Sequence, residues 1–486
     1  MSPDPATWLS PRQETRFSTA CFEVSDCSTT VVDITPLLGT TKVRDPQALV
    51  ERRADSLLEQ NRGLLRDYGV EGHVRRKQGR PELVLKTSTC VGAAPLLSPV
   101  TGRVDYGLVI RPRFQWSSVG GLLAQMGLKV VPQLVPLPEL PRSERRVPAW
   151  ILSSVVLERF KALLDQMERG FVFLEKECRA PRGAVQWNTY ASVQLPRGRP
   201  DAVPCRFPDL RDDEELFSAI HHALRLQRAA LNSQRSAGVI VQKLLELCER
   251  LLRKVEHTPP QPPSKRLLAS WQRRPLSSRP FTEGLQAIEW TIDERGLAGL
   301  SDLSGLPWRM EMERFFEAWV ESIVEYLAKL CGGTVRSGRR EQTRAHLSWS
   351  PSFAGSQRSL LPDVVLDRGD VVVVFDAKYK HHLEELERRG WWHAEDLLRE
   401  HHREDLMQVL AYSTLFDAPR VVACLIYPCR TETYASLVAR NRVFSHAKIM
   451  GPARKVEVAL AAAPMGYAAD RIARELVPLV FGEVQQ

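Results

Sequence analysis

The chain contains no unbroken apolar run of roughly eighteen residues, the length a helix needs to cross a bilayer. Its first residues, MSPDPATWLSPRQE, hold no basic region followed by an apolar segment, so neither a membrane span nor a secretory signal is expected, and the cytoplasm is the expected compartment. Cysteine is scarce, at nine in 486 residues. The nine are scattered and odd in number, and neither Cys21/Cys27 nor Cys424/Cys429 has the spacing of a zinc or redox motif, so reduced packing thiols are expected. A GxxxxGK[ST] phosphate loop is missing, which argues against nucleotide triphosphate hydrolysis by this chain alone. GxSxG and HExxH are missing too, which removes a serine nucleophile elbow and a zincin helix.

What is present is a soluble, globular composition, 43% hydrophobic and 26% charged, with a net charge of +9. The length exceeds one ordinary core, so two or three domains are expected. The positive balance favours an anionic partner without identifying one.

One break in texture stands out. Residues 257–282, HTPPQPPSKRLLASWQRRPLSSRPFT, carry six prolines and five Lys or Arg with no acid, which reads as a basic linker or loop. Before it, residues 1–256 read as an α+β region, with helices near 45–66, 212–231 and 238–256 and strand-like runs at 108–111 and 171–173. In VIVQKLLELCERLLRKV, the residues Val241, Leu244, Leu245, Cys248, Leu251 and Leu252 share one face.

After the break, residues 283–486 read as an α/β domain with a mixed central sheet flanked by helices. Met312, Phe315, Phe316, Trp319, Ile323, Tyr326 and Leu327 recur at three- and four-residue steps, predicting a helix across 309–330 that ends at Gly332-Gly333. Residues 331–360 hold five Arg and one Glu. In PDVVLDRGDVVVVFDAKYK, two β-branched runs flank Asp367-Arg368-Gly369-Asp370, a hairpin signal. A helix near 403–416 and a strand near 420–427 follow.

The hairpin carries the chemistry. Asp363 opens one strand and Asp376 closes the next, so both carboxylates can reach one end of the sheet. Lys378 lies two residues beyond Asp376, and period-two alternation sends both side chains to one face. Carboxylates holding a hard divalent cation neutralise an anionic phosphorus and supply a deprotonated water, while a nearby Lys orients that water. The backbone carbonyl of Ala377 is a further candidate ligand. Oxygen donors dominate, so Mg²⁺, or Mn²⁺, fits better than Zn²⁺. Arg336, Arg339, Arg340 and Arg344, in the basic stretch before the hairpin, are candidates for contacting phosphates. The run His381 to His402 is read as a solvated helical flap rather than a second metal site.

LLPDVVLDRGDVVVVFDAKYK resembles the active-site hairpin of PD-(D/E)xK nucleases, and particularly that of McrC-type nuclease subunits of modification-dependent, type IV-like restriction systems. MERFFEAWV at 312–320 is similar to that family's preceding helix, which offers an acid to the metal site; its counterpart is Glu317, with Glu313 and Glu321 as alternatives. DLMQVLAYSTLF at 405–416 resembles the following helix, whose glutamine falls on Gln408. VVACLIYP at 421–428 matches in character. LVIRPRF at 108–114, RAPRGAVQWNTY at 179–190 and VPCRFPDLRDDEELFSAIHHAL at 203–224 resemble further segments of these proteins.

The resemblance implies a restriction-endonuclease-like domain and an Mg²⁺-dependent DNA endonuclease subunit of a defence system. It also implies a separate AAA+ partner, a GTPase or ATPase ring, on which the N-terminal half docks. Dimerisation of nuclease domains is compatible with it. The competing expectation is a scaffold that holds nucleic acid and stimulates an AAA+ partner without cutting.

Overall fold

The structure is a computed structural model and describes residues 20–38, 44–114, 116–127, 129–130, 132–135, 150–167, 170–211, 213–273, 278–292, 307–353, 355–380, 384, 396–450 and 455–482. The chain divides into two compact units, Met1–Arg146 with Ser301–Gln486, and Val147–Leu300. The division therefore falls elsewhere than the proline-rich stretch.

That stretch lies inside the second unit. Its start is pinned to the helix Glu214–Asn232: the Ser218 hydroxyl donates to the Pro259 carbonyl and the Gln261 amide to the Ser218 carbonyl. Prolines lack a donor but keep an acceptor, so an extended proline run can be held through its carbonyls. Residues Lys265–Gln272 then form a helix capped by Ser264 that buries Trp271. The unit's helices Trp150–Gln166, Glu214–Asn232, Val239–Val255 and Arg279–Ile292 pack on one another. A small antiparallel sheet joins Gly170–Cys178, Val203–Arg211 and Ala184–Val185. On Val239–Val255, Leu247 is buried and Leu245 only partly so, a modest rotation of the expected stripe.

Among its described residues the first unit holds four sheets: a three-stranded one of Thr29–Val32, Arg80–Thr87 and Val70–Lys77, the short pair Ala345–His346 with Ser359–Leu360, and two larger ones. One joins β1 (Ala20–Ser25), β2 (Cys90–Leu97), β3 (Val104–Arg111), β4 (Gln133–Leu134) and β5 (Trp308–Glu311) in the order β1-β3-β2-β5-β4. Strand β5 lies some two hundred residues later in the chain than its partners, and its antiparallel pairing with β2 ties the C-terminal half to the N-terminal one. It occupies the first residues of the expected 309–330 helix, which instead begins at Met312. That helix, α1 (Met312–Cys331), buries Met312, Phe315, Phe316, Trp319, Ile323 and Leu327. Tyr326 stays 39% exposed, with the Lys329 ammonium over its ring. Gly332 and Gly333, at φ of 77° and 106°, end the helix as expected.

The second of the larger sheets is mixed. Strands β6 (Thr334–Ser337), β7 (Val364–Asp367), β8 (Val371–Ala377), β9 (Arg420–Cys429), β10 (Phe444–Met450) and β11 (Lys455–Pro464) are ordered β6-β7-β8-β9-β11-β10. The expected hairpin is β7/β8, with Val364 opposite Phe375. Strand β8 is buried from Val371 through Asp376, which accounts for a continuous rather than alternating apolar run. Val372 and Val374 cluster with Tyr412 of α2 (Asp396–Ser413), while α1 also packs on β7 and β8. The helix α3 (Ala469–Phe481) packs on α1. Strands β10 and β11 and helix α3 lie beyond the elements read from sequence.

The far side of the sheet is locked by a half-buried cation on a buried carboxylate. Arg420 donates through Nε to Glu457 Oε2 at 2.9 Å and through Nη1 to the Val480 carbonyl at 2.7 Å, while His446 Nε2 lies 2.8 Å from the same carboxylate. Removing one partner of such a pair leaves a buried charge, so Arg420→Ala is expected to cost about 3–5 kcal/mol in a urea unfolding series. Burial pushes the Glu457 carboxyl up, but Arg420 and His446 more than offset it and hold it below the ordinary value. A folded value below the unfolded one stabilises above the unfolded range, about 4.3, and that contribution is lost as pH falls through the folded value. Glu457→Gln should therefore flatten the acid limb of the stability curve.

Candidate active site

The hairpin register brings the carboxylates together. With Val364 opposite Phe375, Asp363 and Asp376 fall opposite one another at the next step along the pair. Asp376 is 1% exposed, and among the described residues its Oδ1 finds no hydrogen-bond donor, while the Lys378 ammonium sits 2.8 Å from Oδ2. Asp363 Oδ2 accepts from the Ala377 amide at 2.8 Å. Lys378 Nζ donates to Gln408 Oε1 at 2.8 Å, and Gln408 Nε2 donates to the Tyr412 hydroxyl at 2.8 Å. The Lys378 amide is held by the Ile426 carbonyl of β9 at 2.9 Å.

The electrostatics follow from this crowding. Burial pushes the Asp363 carboxyl well above the carboxylate range, and the charges of Asp376 and Glu317 push it further. Burial also raises Asp376, against the lowering effect of Lys378. Glu317, half-buried on α1, is raised by burial and by Glu313 and Asp376, while Arg339 works the other way. For Lys378, burial favours the neutral amine, but the carboxylates of Asp376, Asp363 and Asp405 together outweigh it and the net shift is upward. The lysine is thus a cation at neutral pH.

Among the described residues, no group of three or more His, Cys, Asp and Glu side chains stands ready as a complete metal cage. The donor set nonetheless suits a hard cation. The charge of Asp376 raises the proton affinity of a desolvated Asp363, one buried Asp376 oxygen lacks a donor among the described residues, and oxygen donors dominate. Mg²⁺ typically takes one or two carboxylates and keeps several waters, so a full protein cage is not required.

The other acid positions on α1 differ in kind. Glu313 is exposed. Glu321 is 2% exposed, but Arg340 Nη2 at 2.7 Å, Arg339 Nη1 at 3.4 Å and Lys129 Nζ at 3.5 Å surround its carboxylate. The basic candidates are consequently engaged: Arg339 and Arg340 with Glu321, Arg336 with Asp367 at 2.9 Å, and Arg344 with Glu341 at 2.6 Å. Arg339 also donates to the Lys129 carbonyl. Of the histidine run, residues 381–395 lie outside the described residues apart from Glu384, and His402 is buried against the Tyr427 hydroxyl at 3.1 Å.

Three supports were not legible in the sequence. Gly338 donates its amide to the Asp363 carbonyl at 2.7 Å, and a Cβ there would lie 2.5 Å from the Pro362 carbonyl oxygen, so the approach requires glycine. Lys380 pairs at 2.7 Å with Asp405, which accepts from Tyr427 at 3.2 Å behind the site. The Tyr379 hydroxyl donates to Asp26 Oδ2 at 2.7 Å, and the Arg113 guanidinium lies 4.2 Å from the Tyr379 ring centroid. That last contact fastens the residue after Lys378 to the N-terminal sheet.

Among known proteins, a family model described as McrBC 5-methylcytosine restriction system component matches residues 103–428. No curated protein matches the chain. Among solved structures, a refined half-complex from the tetradecameric assembly of Thermococcus gammatolerans McrB AAA+ hexamers with bound McrC is similar at 15% identity, covering 95% of this chain and 100% of that one, with a TM-score of 0.41. The cryo-EM structure of the Thermococcus gammatolerans McrBC complex is similar at 12% identity, covering 63% of this chain and 88% of that one, with a TM-score of 0.26.

Proposed function

We propose, from the premise that the chain belongs to the McrBC 5-methylcytosine restriction system component family, that it is that system's cutting subunit: a DNA endonuclease of the PD-(D/E)xK type, licensed by a separate AAA+ NTPase. The observation that carries this reading is the pair Asp363 and Asp376, desolvated on adjacent strands, with Lys378 tethered beside them by Gln408.

Asp363, Asp376 and the Ala377 carbonyl would hold Mg²⁺, with Mn²⁺ as a substitute and Glu317 as a further acidic donor. Such an ion, when bound, neutralises the phosphate and acidifies a water. Asp363 is oriented for this by the Ala377 amide. Lys378 stays protonated, so it serves as a hydrogen-bond donor to the attacking water or a phosphate oxygen, and not as the base. Gln408 fixes the direction of that ammonium and is itself fixed by Tyr412. Arg336, Arg339, Arg340 and Arg344 keep spare donors for phosphates beyond their present partners, because a guanidinium offers five N–H groups.

Gln408→Ala is expected to slow single-turnover cleavage by about 10–100-fold, the usual penalty for losing a support behind a metal site. The reading as a whole is tested with plasmid DNA, unmodified and cytosine-methylated, with and without an AAA+ NTPase of the system and its nucleotide. Cutting that needs the partner supports the restriction-subunit reading. If NTPase stimulation survives without any cutting, the chain is a non-cleaving activator instead.

A further inference from the structure

Between the basic turn and the catalytic hairpin the chain leaves the sheet as a small arm. Ala345 pairs with Leu360 and His346 with Ser359, and the Leu347 amide donates to the Arg358 carbonyl at 2.9 Å. The arm's base is fastened to the site, since the Thr343 hydroxyl donates to the Pro362 carbonyl at 2.6 Å, one residue before Asp363. Its tip is aromatic and open to solvent. Trp349 is 46% exposed and Phe353 58% exposed, with ring centroids 6.3 Å apart and planes at 71°. Trp349 does not swing freely, because its indole N–H donates to the Gln357 carbonyl at 2.9 Å.

The segment that carries these rings is basic, with its nearest acid, Glu341, just before it and paired to Arg344. Residues 342–362, QTRAHLSWSPSFAGSQRSLLP, contain Arg344, His346 and Arg358 and no acid. All three side chains are exposed, and Arg358 has no ion-pair partner among the described residues. Exposed aromatic rings are costly to leave in water, and rings beside an exposed arginine and polar side chains are the composition of a base-stacking platform rather than of an apolar protein interface. Trp349 stands six residues beyond Thr343, where the arm is fastened at the site. At about 3.3 Å per residue that is a reach of at most about 20 Å, or about six nucleotides of one strand.

We infer that residues 345–360 form a nucleic-acid arm, on which Trp349 and Phe353 stack against unpaired DNA bases a few nucleotides from the scissile phosphate, while Arg358 and His346 face the backbone. The inference rests on the nuclease reading for the position of the cut, but its binding chemistry is separate. Stacking depends on a π-face and tolerates any base, so the arm would favour unpaired or unstacked DNA over a particular sequence.

The test uses the full chain carrying Asp376→Ala, so that DNA is bound and not cut, with fluorescence anisotropy of labelled single-stranded and duplex oligonucleotides over a salt series. Adding Trp349→Ala and Phe353→Ala should weaken single-strand binding about tenfold or more, with the salt slope retained because phosphate contacts remain. Replacing both by tyrosine should restore most of the affinity. Unchanged affinity in variants that keep the parent's thermal midpoint overturns the inference, as does a loss confined to self-association in sedimentation, which would make the arm a contact between copies. The two readings fail separately. Arm-dependent binding without any cutting by the wild type would sink the nuclease and keep the arm, whereas normal cutting with arm-independent binding would do the reverse.

Discussion

Asp376→Ala is expected to lower DNA cleavage on the order of a thousandfold or more while the chain keeps its fold. The residue is 1% exposed and lies one before the end of a strand whose first five residues are all buried and apolar, so core packing does not depend on its carboxylate. What depends on it is charge. Asp376 lies 2.8 Å from the Lys378 ammonium and is the foremost of the carboxylates that favour its charged form, and with Asp363 it forms the only carboxylate pair facing across β7 and β8 among the described residues. On the proposed mechanism, losing it removes a metal ligand and releases the lysine from its position together. Single-turnover cleavage, read beside far-UV circular dichroism of the same preparation, separates this result from unfolding. Cutting within tenfold of wild type would mean that the phosphate is attacked elsewhere.

Asp363→Asn should show the opposite signs in two measurements: cleavage is lost, and the metal-free protein becomes more stable. Asparagine keeps an oxygen to accept from the Ala377 amide, but it removes a carboxylate that burial, Asp376 and Glu317 all disfavour in its charged form. A carboxyl raised in the folded state costs stability as pH climbs from its unfolded value through its folded value, because the folded chain gives up its proton last. The gain from asparagine is therefore largest at neutral and alkaline pH, on the order of 1 kcal/mol or more. Divalent cation should reverse the ranking, since it stabilises the wild type and has less to bind in the variant. Thermal midpoints of both proteins in EDTA and in Mg²⁺ give the comparison. A variant less stable than wild type in EDTA would show that the carboxylate serves the fold and not the chemistry. Function held at a cost in stability is the usual pattern at such sites.

Much of this site could be read from sequence because its signals are local. Asp376 and Lys378 are two residues apart in one strand, the turn Asp367-Arg368-Gly369-Asp370 sets the register, and the apolar steps of α1 place Glu317 on the adjoining helix. The supports were hidden because they are distant in sequence or invisible to pattern. The Tyr379–Asp26 hydrogen bond spans 353 positions. Gly338 matters only through its close approach to the carbonyls of Pro362 and Asp363. The basic residues around 339 read as candidates for contacting phosphates, yet Arg339 and Arg340 close on Glu321, eighteen and nineteen positions earlier. The stretch 257–282 reads as a linker or a loop, and its place inside the second unit has a physical reason. A proline run looks like a connector, but its carbonyls can dock on a helix, and a four-residue strand at Trp308–Glu311 is too short to announce that it completes a sheet begun near residue 20.

The central claim, metal-dependent phosphodiester hydrolysis at the Asp363–Asp376 pair, is tested most directly by following plasmid linearisation by the wild-type chain and an AAA+ NTPase of the system as Mg²⁺ is removed with EDTA and then restored. The account predicts that cutting disappears with the metal, returns with it, and stays absent throughout in Asp376→Ala. Cutting that persists in EDTA, or that returns equally in the variant, would contradict it.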